Sequence, residues 1–432
     1  MFEQCANHNR FKESVEHFCS SDPHLMSLAK LRYQYTYRWW KNVALNIPGI
    51  YILTGGRQIG KSSSCKQLIK YALEKKIFNP DEILYLPCDE IFDAKELSRV
   101  LRLFLDSVTN KNFLLIIDEI TYVAHWERVI KALADEGSFI RGIGILTGSD
   151  SLILQKAAMS FPGRRGQADQ VDFHLYPLSF SEYVDLVRSA TPSTTQFLSS
   201  LFQNYLVTGG YLRAINDFAE YGRITPATFL TYEQWIRGDF LKHRKQENYL
   251  LNILAALIQL GVSPISYSAL TQKIGLMSKE TCMDYLRLLE RMDVVFNLQS
   301  FDQNKKQGFP KKDRKFHFLD PFIHHTVCQW LRREGYMQAF DDQPALVEAC
   351  IASHCYRKGK AYYFKGQGEV DVLWLMKNSL TAIEVKWANQ LRSADLKSLR
   401  QFKNALILGK NAEKGEIENI QVISVHDFLV TI

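Results

Sequence analysis

The feature that most constrains this chain is a glycine-rich turn between an apolar strand pattern and a helical pattern. Residues 55–62 read GGRQIGKS and fit the spacing GxxxxGK[ST], with Lys61 and Ser62 closing the motif. Glycines at such a turn let backbone N–H groups surround an anion at a helix N-terminus. The turn therefore predicts a phosphate-binding loop inside an α/β fold.

The chemistry of this loop assigns a role to each residue type. Lys61 would contact the β and γ phosphates of ATP, and the Ser62 hydroxyl would face Mg²⁺. The predicted nucleotide contacts of the loop are Gly55, Gly56, Arg57, Gln58, Ile59, Gly60, Lys61, Ser62 and Ser63.

Two carboxylates follow a second apolar run. Residues 113–119 read FLLIIDE, so Asp118 and Glu119 stand at the carboxyl end of a buried strand, where open α/β sheets bind ligands. We expect Asp118 to hold Mg²⁺ and Glu119 to orient and polarise the attacking water.

Further polar residues are candidates for the transferring phosphate. Thr147, with Ser149 as a substitute, ends the next strand and would sense the γ-phosphate or the water; a strand-end turn is the competing interpretation. Arg164 or Arg165 would be an arginine finger, supplied by a neighbouring subunit, and Arg213 a second sensor. A solvated arginine is the alternative for all three.

Strand and helix patterns alternate through the first half of the chain. Strands are predicted at 49–54, 82–87, 113–117, 141–146 and 171–176, with helices between them. This alternation predicts a parallel sheet covered by helices on both faces. Residues 23–46 are predicted to form one helix, and 181–246 to be helical throughout with a break at Gly209–Gly210. A further helix is predicted over residues 391–402.

Composition indicates the cellular compartment and the classes of partner. No apolar run reaches the ~18–20 residues of a membrane span, residues 1–10 carry no signal-peptide core, and the eight cysteines form no CxxC pair. We therefore expect a cytoplasmic protein with no membrane partner. The net charge of +7 permits nucleic acid as a partner.

The middle of the chain predicts three helices over 248–298, then a strand and a basic loop. The predicted basic loop contains Lys305, Lys306, Lys311, Lys312, Arg314 and Lys315. These ammonium and guanidinium groups would contact DNA phosphates without reading sequence.

The C-terminal hundred residues carry a second group of acids. Glu384 and Lys386 share one face of a predicted strand, Asp371 lies on the neighbouring strand of a hairpin, and Glu348 lies on a helix. Asp371 and Glu384 would hold Mg²⁺ or Mn²⁺ and Lys386 would position a water. An edge hairpin with surface ion pairs is the alternative.

Together these motifs resemble bacterial and archaeal AAA-type ATPases of the additional-strand catalytic-Glu class that carry a C-terminal winged-helix and PD-(D/E)xK nuclease-like region. The resemblance rests on GGRQIGKSS, LIIDEI, HWERVIKALADEG, LTGSDSLIL, GRRG and LYPLSFSEY. It implies a P-loop core at 1–190, a helical lid at 191–247, a winged helix at 248–330 and a nuclease-like domain at 331–432.

Two functions follow from this resemblance. In the first, an ATPase controls metal-dependent cutting of DNA, in defence, mobile-element biology or repair, and homo-oligomers are allowed. In the second, a nucleotide-gated switch or scaffold binds DNA or protein through a nuclease-like domain that does not cut. The second predicts that Asp371, Glu384 and Lys386 pair with basic neighbours or point apart.

Overall fold

The computed structural model divides the chain into two compact units, Met1–Tyr176 and Pro177–Ile432. It describes residues 7–432 except 110, 149–153, 155–158, 160, 162, 192–195, 276–277, 338–341, 367 and 388–395. The four-segment division expected from sequence is finer and stays a prediction. Within the described part of the chain, no helix combines the length and the apolarity that crossing a bilayer requires.

The first unit is built on a parallel sheet. Its described strands are β1 (Gly49–Gly55), β2 (Ile83–Pro87), β3 (Phe113–Asp118), β4 (Gly142–Thr147) and β5 (Asp172–Leu175). They pair in the order β2-β3-β4-β1-β5, and every pairing is parallel. Strand β4 therefore separates the strand before the glycine-rich loop from the strand before the acids. The expected five-stranded parallel sheet is confirmed.

Helices pack on this sheet according to the alternation of its side chains. The helices are α1 (Val15–Ser21), α2 (Pro23–Ala29), α3 (Lys61–Glu74), α4 (Ala94–Ser107) and α5 (Trp126–Asp135). Leu84 and Leu86 of β2 join the apolar cluster formed with α4 and α5. Tyr85 points to the opposite face, because successive side chains of a strand alternate.

The single helix predicted over residues 23–46 is wrong. Helix α2 begins under the Asp22 side chain, which accepts hydrogen bonds from the backbone N–H groups of His24 and Leu25, and it ends at Ala29. Beyond it, the Tyr37 backbone N–H donates to the Gln67 side chain and its hydroxyl donates to the Ile59 carbonyl, 2.7 Å away. These tertiary bonds hold the chain against α3 in a non-helical course.

The second unit begins with helices. They are α6 (Phe180–Ala190), α7 (Leu198–Thr208), α8 (Leu212–Tyr221), α9 (Pro226–Lys242), α10 (Glu247–Leu260), α11 (Tyr267–Lys273) and α12 (Lys279–Arg291). The predicted three helices of the middle region correspond to α10–α12. Gly209 ends α7 with a φ of +53°, and the Gly210 N–H donates to the Asp320 carboxylate. This bond explains the predicted break at the glycine pair.

A mixed sheet completes the second unit. Its described strands are β6 (Val295–Asp302), β7 (Gln307–Gly308), β8 (Arg314–Phe318), β9 (Lys360–Gly366), β10 (Gly368–Met376), β11 (Ser379–Lys386), β12 (Asn404–Gly409), β13 (Gly415–Ile417) and β14 (Ile420–Ser424). The remaining helices are α13 (Pro321–Arg333), α14 (Gln343–Lys358) and α15 (Val425–Thr431). The order is β13-β14-β12-β11-β10-β9-β6-β7, with β8 paired to β6.

Two expectations in this unit need correction. Arg314 and Lys315 do not belong to a solvated loop, because they open strand β8 and are 8% and 1% exposed. A helix was also expected over 391–402. Its first part lies outside the described residues, and 396–402 form turns that bury Leu396 and Leu399 in the sheet's apolar cluster.

Candidate functional sites

The glycine-rich loop folds around its own lysine. The Lys61 ammonium donates to the carbonyl oxygens of Gly55 and Gly56, each 3.0 Å away, and the side chain is almost fully buried. Gly60 adopts a φ of +98°, a left-handed conformation that side chains disfavour, and α3 starts at the next residue. The loop thus places a lysine and a helix N-terminus together, which suits phosphate.

Two hydroxyl groups hold the first carboxylate of the acid pair. Asp118 is 5% exposed and accepts hydrogen bonds from the Tyr85 hydroxyl on one oxygen and from the Thr147 hydroxyl on the other. Burial, followed by the charge of Asp118, raises the pKa of Tyr85 well above its usual value, so this phenol stays a hydrogen-bond donor.

The second carboxylate faces the loop lysine. Glu119 Oε1 lies 3.5 Å from Lys61 Nζ, and Glu119 has a φ of +53° at the point where β3 ends. Its backbone N–H donates to the Thr147 hydroxyl over 3.0 Å. Thr147 therefore serves both acids at once, as donor to Asp118 and acceptor from Glu119. The sensor role expected of Thr147 stays a prediction, and Ser149 lies outside the described residues.

The predicted arginines have partners of their own. Arg164 forms an ion pair with Asp135, and Arg165 forms one with Asp172 while also donating to the Val171 carbonyl. Arg57 donates weakly to the Tyr122 hydroxyl at 3.4 Å. Arg213 belongs to the second unit, where its Nε donates to the Thr228 hydroxyl. The roles of finger and sensor stay predictions.

In the second unit, two of the predicted acids and Glu369 surround Lys315, a lysine that the sequence assigns to the basic loop. Lys315 Nζ lies 2.9 Å from Glu348 Oε1, 2.9 Å from Glu369 Oε1 and 3.6 Å from Asp371 Oδ1. Burial alone would lower the pKa of Lys315, but the surrounding carboxylates, Glu348 first, raise it above its usual value. Lys315 is therefore a cation at every physiological pH.

The remaining residues of the cluster lie on β10 and β11. Asp371 Oδ2 accepts the backbone N–H of Val385, and Lys386 Nζ lies 2.9 Å from Glu384 Oε1. The structure thus brings Glu348, Asp371, Glu384 and Lys386 together as expected, since β10 and β11 are antiparallel neighbours.

Acidic groups outnumber basic groups in this cluster. It contains four carboxylates, of Glu348, Glu369, Asp371 and Glu384, and two ammonium groups, of Lys315 and Lys386. Burial, and then the charge of Asp371, raises the pKa of Glu348 to about 8 and that of Glu384 to about 7. A buried carboxylate that is not stabilised by enough nearby positive charge becomes protonated instead.

A divalent cation is the group that the nuclease-like interpretation implies here. Carboxylates are suitable donors, and Glu384 Oε2 is buried without a hydrogen-bond partner among the residues that the structure describes. However, the Lys315 ammonium already contacts Glu348 and Asp371. Across the described residues, no three His, Cys, Asp or Glu side chains are placed to hold one ion. As arranged, the cluster does not fit a divalent cation.

Sequence reasoning missed Lys315 and Tyr85. Lys315 is separated from Glu348 by 33 positions, and Tyr85 from Asp118 by 33. One signal was present for Lys315: the order Lys-Phe-His-Phe alternates with the period of a strand, which is unusual for a solvated loop.

The family comparisons agree with the first site. Residues 48–184 match the family described as "AAA domain". Residues 199–334 and 344–428 match two families described as domains of unknown function, DUF8612 and DUF4143.

Curated relatives align with much of the chain at low sequence identity. An uncharacterized protein of Haemophilus influenzae is 25% identical over 406 residues, covering 88% of this chain and 94% of the relative. An uncharacterized protein of Methanocaldococcus jannaschii is 24% identical over 305 residues, covering 62% of this chain and 60% of the relative.

Solved structures overlap with a large part of the chain. A Walker-type ATPase of Pyrococcus abyssi gives a TM-score of 0.45 at 14% identity, covering 65% of this chain and 91% of that one. The ORC2 protein of Aeropyrum pernix gives 0.40 at 14% identity, covering 69% and 92%. The match of residues 48–184 to the AAA domain family agrees with the five-stranded parallel sheet, the glycine-rich loop and the acid pair of the first unit.

Proposed function

We propose that this protein binds ATP and hydrolyses it at the loop of the first unit. The observation that carries the proposal is the 3.5 Å approach of Lys61 Nζ to Glu119 Oε1, beside an Asp118 that two hydroxyls orient. A lysine, a helix N-terminus and two carboxylates at the carboxyl ends of parallel strands are the groups that phosphoryl transfer needs.

Each residue has a task in this reaction. The α3 N-terminus and Lys61 bind the phosphates, with Lys61 leaving its contacts to Gly55 and Gly56 for the β and γ oxygens. Ser62 and Asp118 would hold Mg²⁺, which neutralises charge on the phosphates when bound. Glu119 accepts a hydrogen bond from the attacking water and orients it.

The test is ATP turnover by the purified chain, measured as phosphate release. Lys61→Ala should lose both nucleotide binding and turnover, because the ammonium contacts the phosphates. Lys70→Ala is the matched control, since Lys70 lies on the same helix, half-exposed beside Glu74. Turnover that persists unchanged in Lys61→Ala, or its absence from the wild type, would contradict the proposal.

The C-terminal cluster favours binding without cutting. Of the two functions that the resemblance allows, the scaffold alternative predicts that the acids point apart or pair with basic neighbours, and Lys315 is such a neighbour of Glu348 and Asp371. We therefore infer a nucleotide-controlled switch that holds DNA or protein, and the nuclease becomes the outcome to be excluded.

DNA is the partner that the exposed part of the basic loop supports. Lys305, Lys306, Lys311 and Lys312 are all exposed, unlike Arg314 and Lys315. Such lysines neutralise phosphates irrespective of sequence. Beyond ATP hydrolysis, we therefore propose that the chain binds nucleic acid and that ATP controls this binding.

Cutting is tested with linear, circular and single-stranded DNA in Mg²⁺ or Mn²⁺, with and without ATP. The wild type is expected to bind DNA and leave it intact. Cleavage that disappears in Asp371→Ala and Glu384→Ala would establish the nuclease instead, and a change of that cleavage in Lys61→Ala would tie it to ATP.

A further inference from the structure

A buried lysine behind the glycine-rich loop has no role in the reaction described above. Lys66 lies five residues after Lys61 on α3 and is 0% exposed. Its Nζ lies 3.0 Å from Asp22 Oδ2, and Asp22 is also 0% exposed. Burying two charges costs free energy unless other groups stabilise them. The other contacts of Lys66 therefore indicate its role.

Those contacts lead to the tyrosine that orients Asp118. Lys66 Nζ lies 3.6 Å from the centre of the Tyr85 ring and donates to the His8 carbonyl over 2.7 Å. A cation at this distance over an aromatic face is attracted by the ring's quadrupole, most strongly where water is excluded. The ring of Tyr85 is thus fixed from one side by a desolvated ammonium.

The backbone of Tyr85 is fixed by the same part of the chain. The Asn9 side chain donates to the Tyr85 carbonyl and accepts the Tyr85 N–H, both over 2.8 Å. Strand β2 is the edge of the sheet, so without Asn9 these two groups would lack a strand partner on that side. Asn9 is 5% exposed and replaces a missing neighbouring strand at this one residue.

We propose that residues 8–22, acting through Lys66 and Tyr85, position the Asp118 carboxylate for ATP hydrolysis. The chain of contacts runs from Asp22 to Lys66, from Lys66 to the Tyr85 ring, and from the Tyr85 hydroxyl to Asp118. Lys66 and Asp22 are positioning residues, because they reach the reaction through Tyr85. The inference rests on the proposed ATP hydrolysis at this loop.

Tyr85→Phe is the sharpest variant, since it keeps the ring over Lys66 and removes the hydroxyl from Asp118. We expect about a tenfold lower kcat and a higher Mg²⁺ concentration for half-maximal turnover, because Asp118 loses a directional hydrogen bond. The KM for ATP should change little, since Lys61 and the loop remain intact. Tyr51→Phe is the matched control, because Tyr51 lies on the same face of this sheet as Tyr85 but its hydroxyl donates to the Ile47 carbonyl.

Lys66→Met and Asp22→Asn test the rest of the chain of contacts. Asp22→Asn keeps an oxygen for the N–H groups of His24 and Leu25 but removes the charge opposite Lys66. Both should raise the Mg²⁺ requirement as Tyr85→Phe does. In the double variant with Tyr85→Phe, Lys66→Met should have no further effect on kcat, because both act through one hydroxyl.

The outcomes separate the two proposals. A wild type without ATP turnover defeats the proposed function, and this inference with it. Turnover in the wild type combined with an unchanged Mg²⁺ requirement in Tyr85→Phe, or with kcat effects that multiply in the double variant, defeats only the inference. A Lys66→Met protein that melts earlier but keeps the wild-type Mg²⁺ requirement assigns Lys66 to stability alone and also defeats it.

Discussion

Lys315 Nζ lies 2.9 Å from Glu348 Oε1, so a residue of strand β8 contacts an acid of helix α14. The same ammonium contacts Glu369 and Asp371 of β10. The acids that sequence alone assigns to a metal therefore share a cation that belongs to the chain itself. This single contact decides how the second unit should be tested.

Replacing Lys315 by methionine should destabilise the second unit strongly. The substitution keeps most of the side chain's volume but leaves carboxylates buried without their cation, which costs about 3–5 kcal/mol. The melting temperature, followed by circular dichroism, should fall clearly. Arg400→Met removes an exposed ion pair with Glu418 in the same unit and should cost at most about 1 kcal/mol. Equal losses of stability in the two variants would contradict the conclusion that Lys315 stabilises the second unit more than an exposed ion pair does.

Stability of the second unit should fall as the pH rises through 7 and 8. The folded-state pKa values of Glu348 and Glu384, about 8 and about 7, lie above the ordinary carboxyl value of 4.5. The folded state therefore binds more protons than the unfolded state in this window, and deprotonation favours unfolding. Urea midpoints at pH 5.5 and 8.5 measure the effect. Glu384→Gln should flatten the dependence, and a wild type that gains stability with pH would refute it.

Glu119→Gln should separate ATP binding from hydrolysis. The amide oxygen of glutamine can still accept a hydrogen bond from Lys61. Glutamine is, however, a far weaker base than glutamate, so turnover should drop by roughly 10²–10⁴-fold. Binding of a fluorescent ATP analogue should persist, because Lys61 and the loop glycines are untouched. Glu127→Gln, on the surface of α5, serves as the control carboxylate. Full activity in Glu119→Gln would remove Glu119 from the mechanism.

Thr147→Val should disturb both acids of the first unit while keeping the side chain's shape. Asp118 loses a donor and the Glu119 N–H loses its acceptor, and each buried group left unsatisfied costs about 1–3 kcal/mol. Thermal stability and ATP turnover should both decrease. Thr147→Ser retains the hydroxyl and should stay near wild type. A Val variant as active as the Ser variant would show that the hydroxyl is dispensable.

Removing Lys305 and Lys306 should weaken DNA binding in a salt-dependent way. If each lysine neutralises one phosphate, the slope of log K against log salt should become shallower by about 0.9 per lysine. Fluorescence anisotropy at several salt concentrations measures it. The double variant of Lys75 and Lys76, exposed at the end of α3 in the first unit, is the matched control. The same slope in both double variants would argue against phosphate contact through Lys305 and Lys306.

Short-range pattern was enough for much of the first unit. The loop, the strand before it and the acids of β3 follow from residue spacing, because a P-loop and a buried strand are each encoded within a few consecutive residues. The same holds for Glu384 and Lys386, which period two places on one face of β11. The predicted hairpin also brings them close to Asp371, whereas the position of Glu348 beside them is implied only by the family resemblance.

The tertiary structure alone decided which charged side chains are buried and what they contact. Lys315 appeared to belong to a basic loop, yet pairing of β8 with β6 buries it among acids 33 or more positions away. Likewise, nothing near Lys66 in the chain indicates Asp22 or Tyr85, and the predicted helix over 23–46 ignored the bonds that Tyr37 makes with Gln67 and Ile59. The local sequence pattern determines strands, turns and loop chemistry because the interactions that stabilise them join residues close together in the chain. The partners of a buried charge depend on which distant elements pack together, and only the folded chain brings them within a few ångströms.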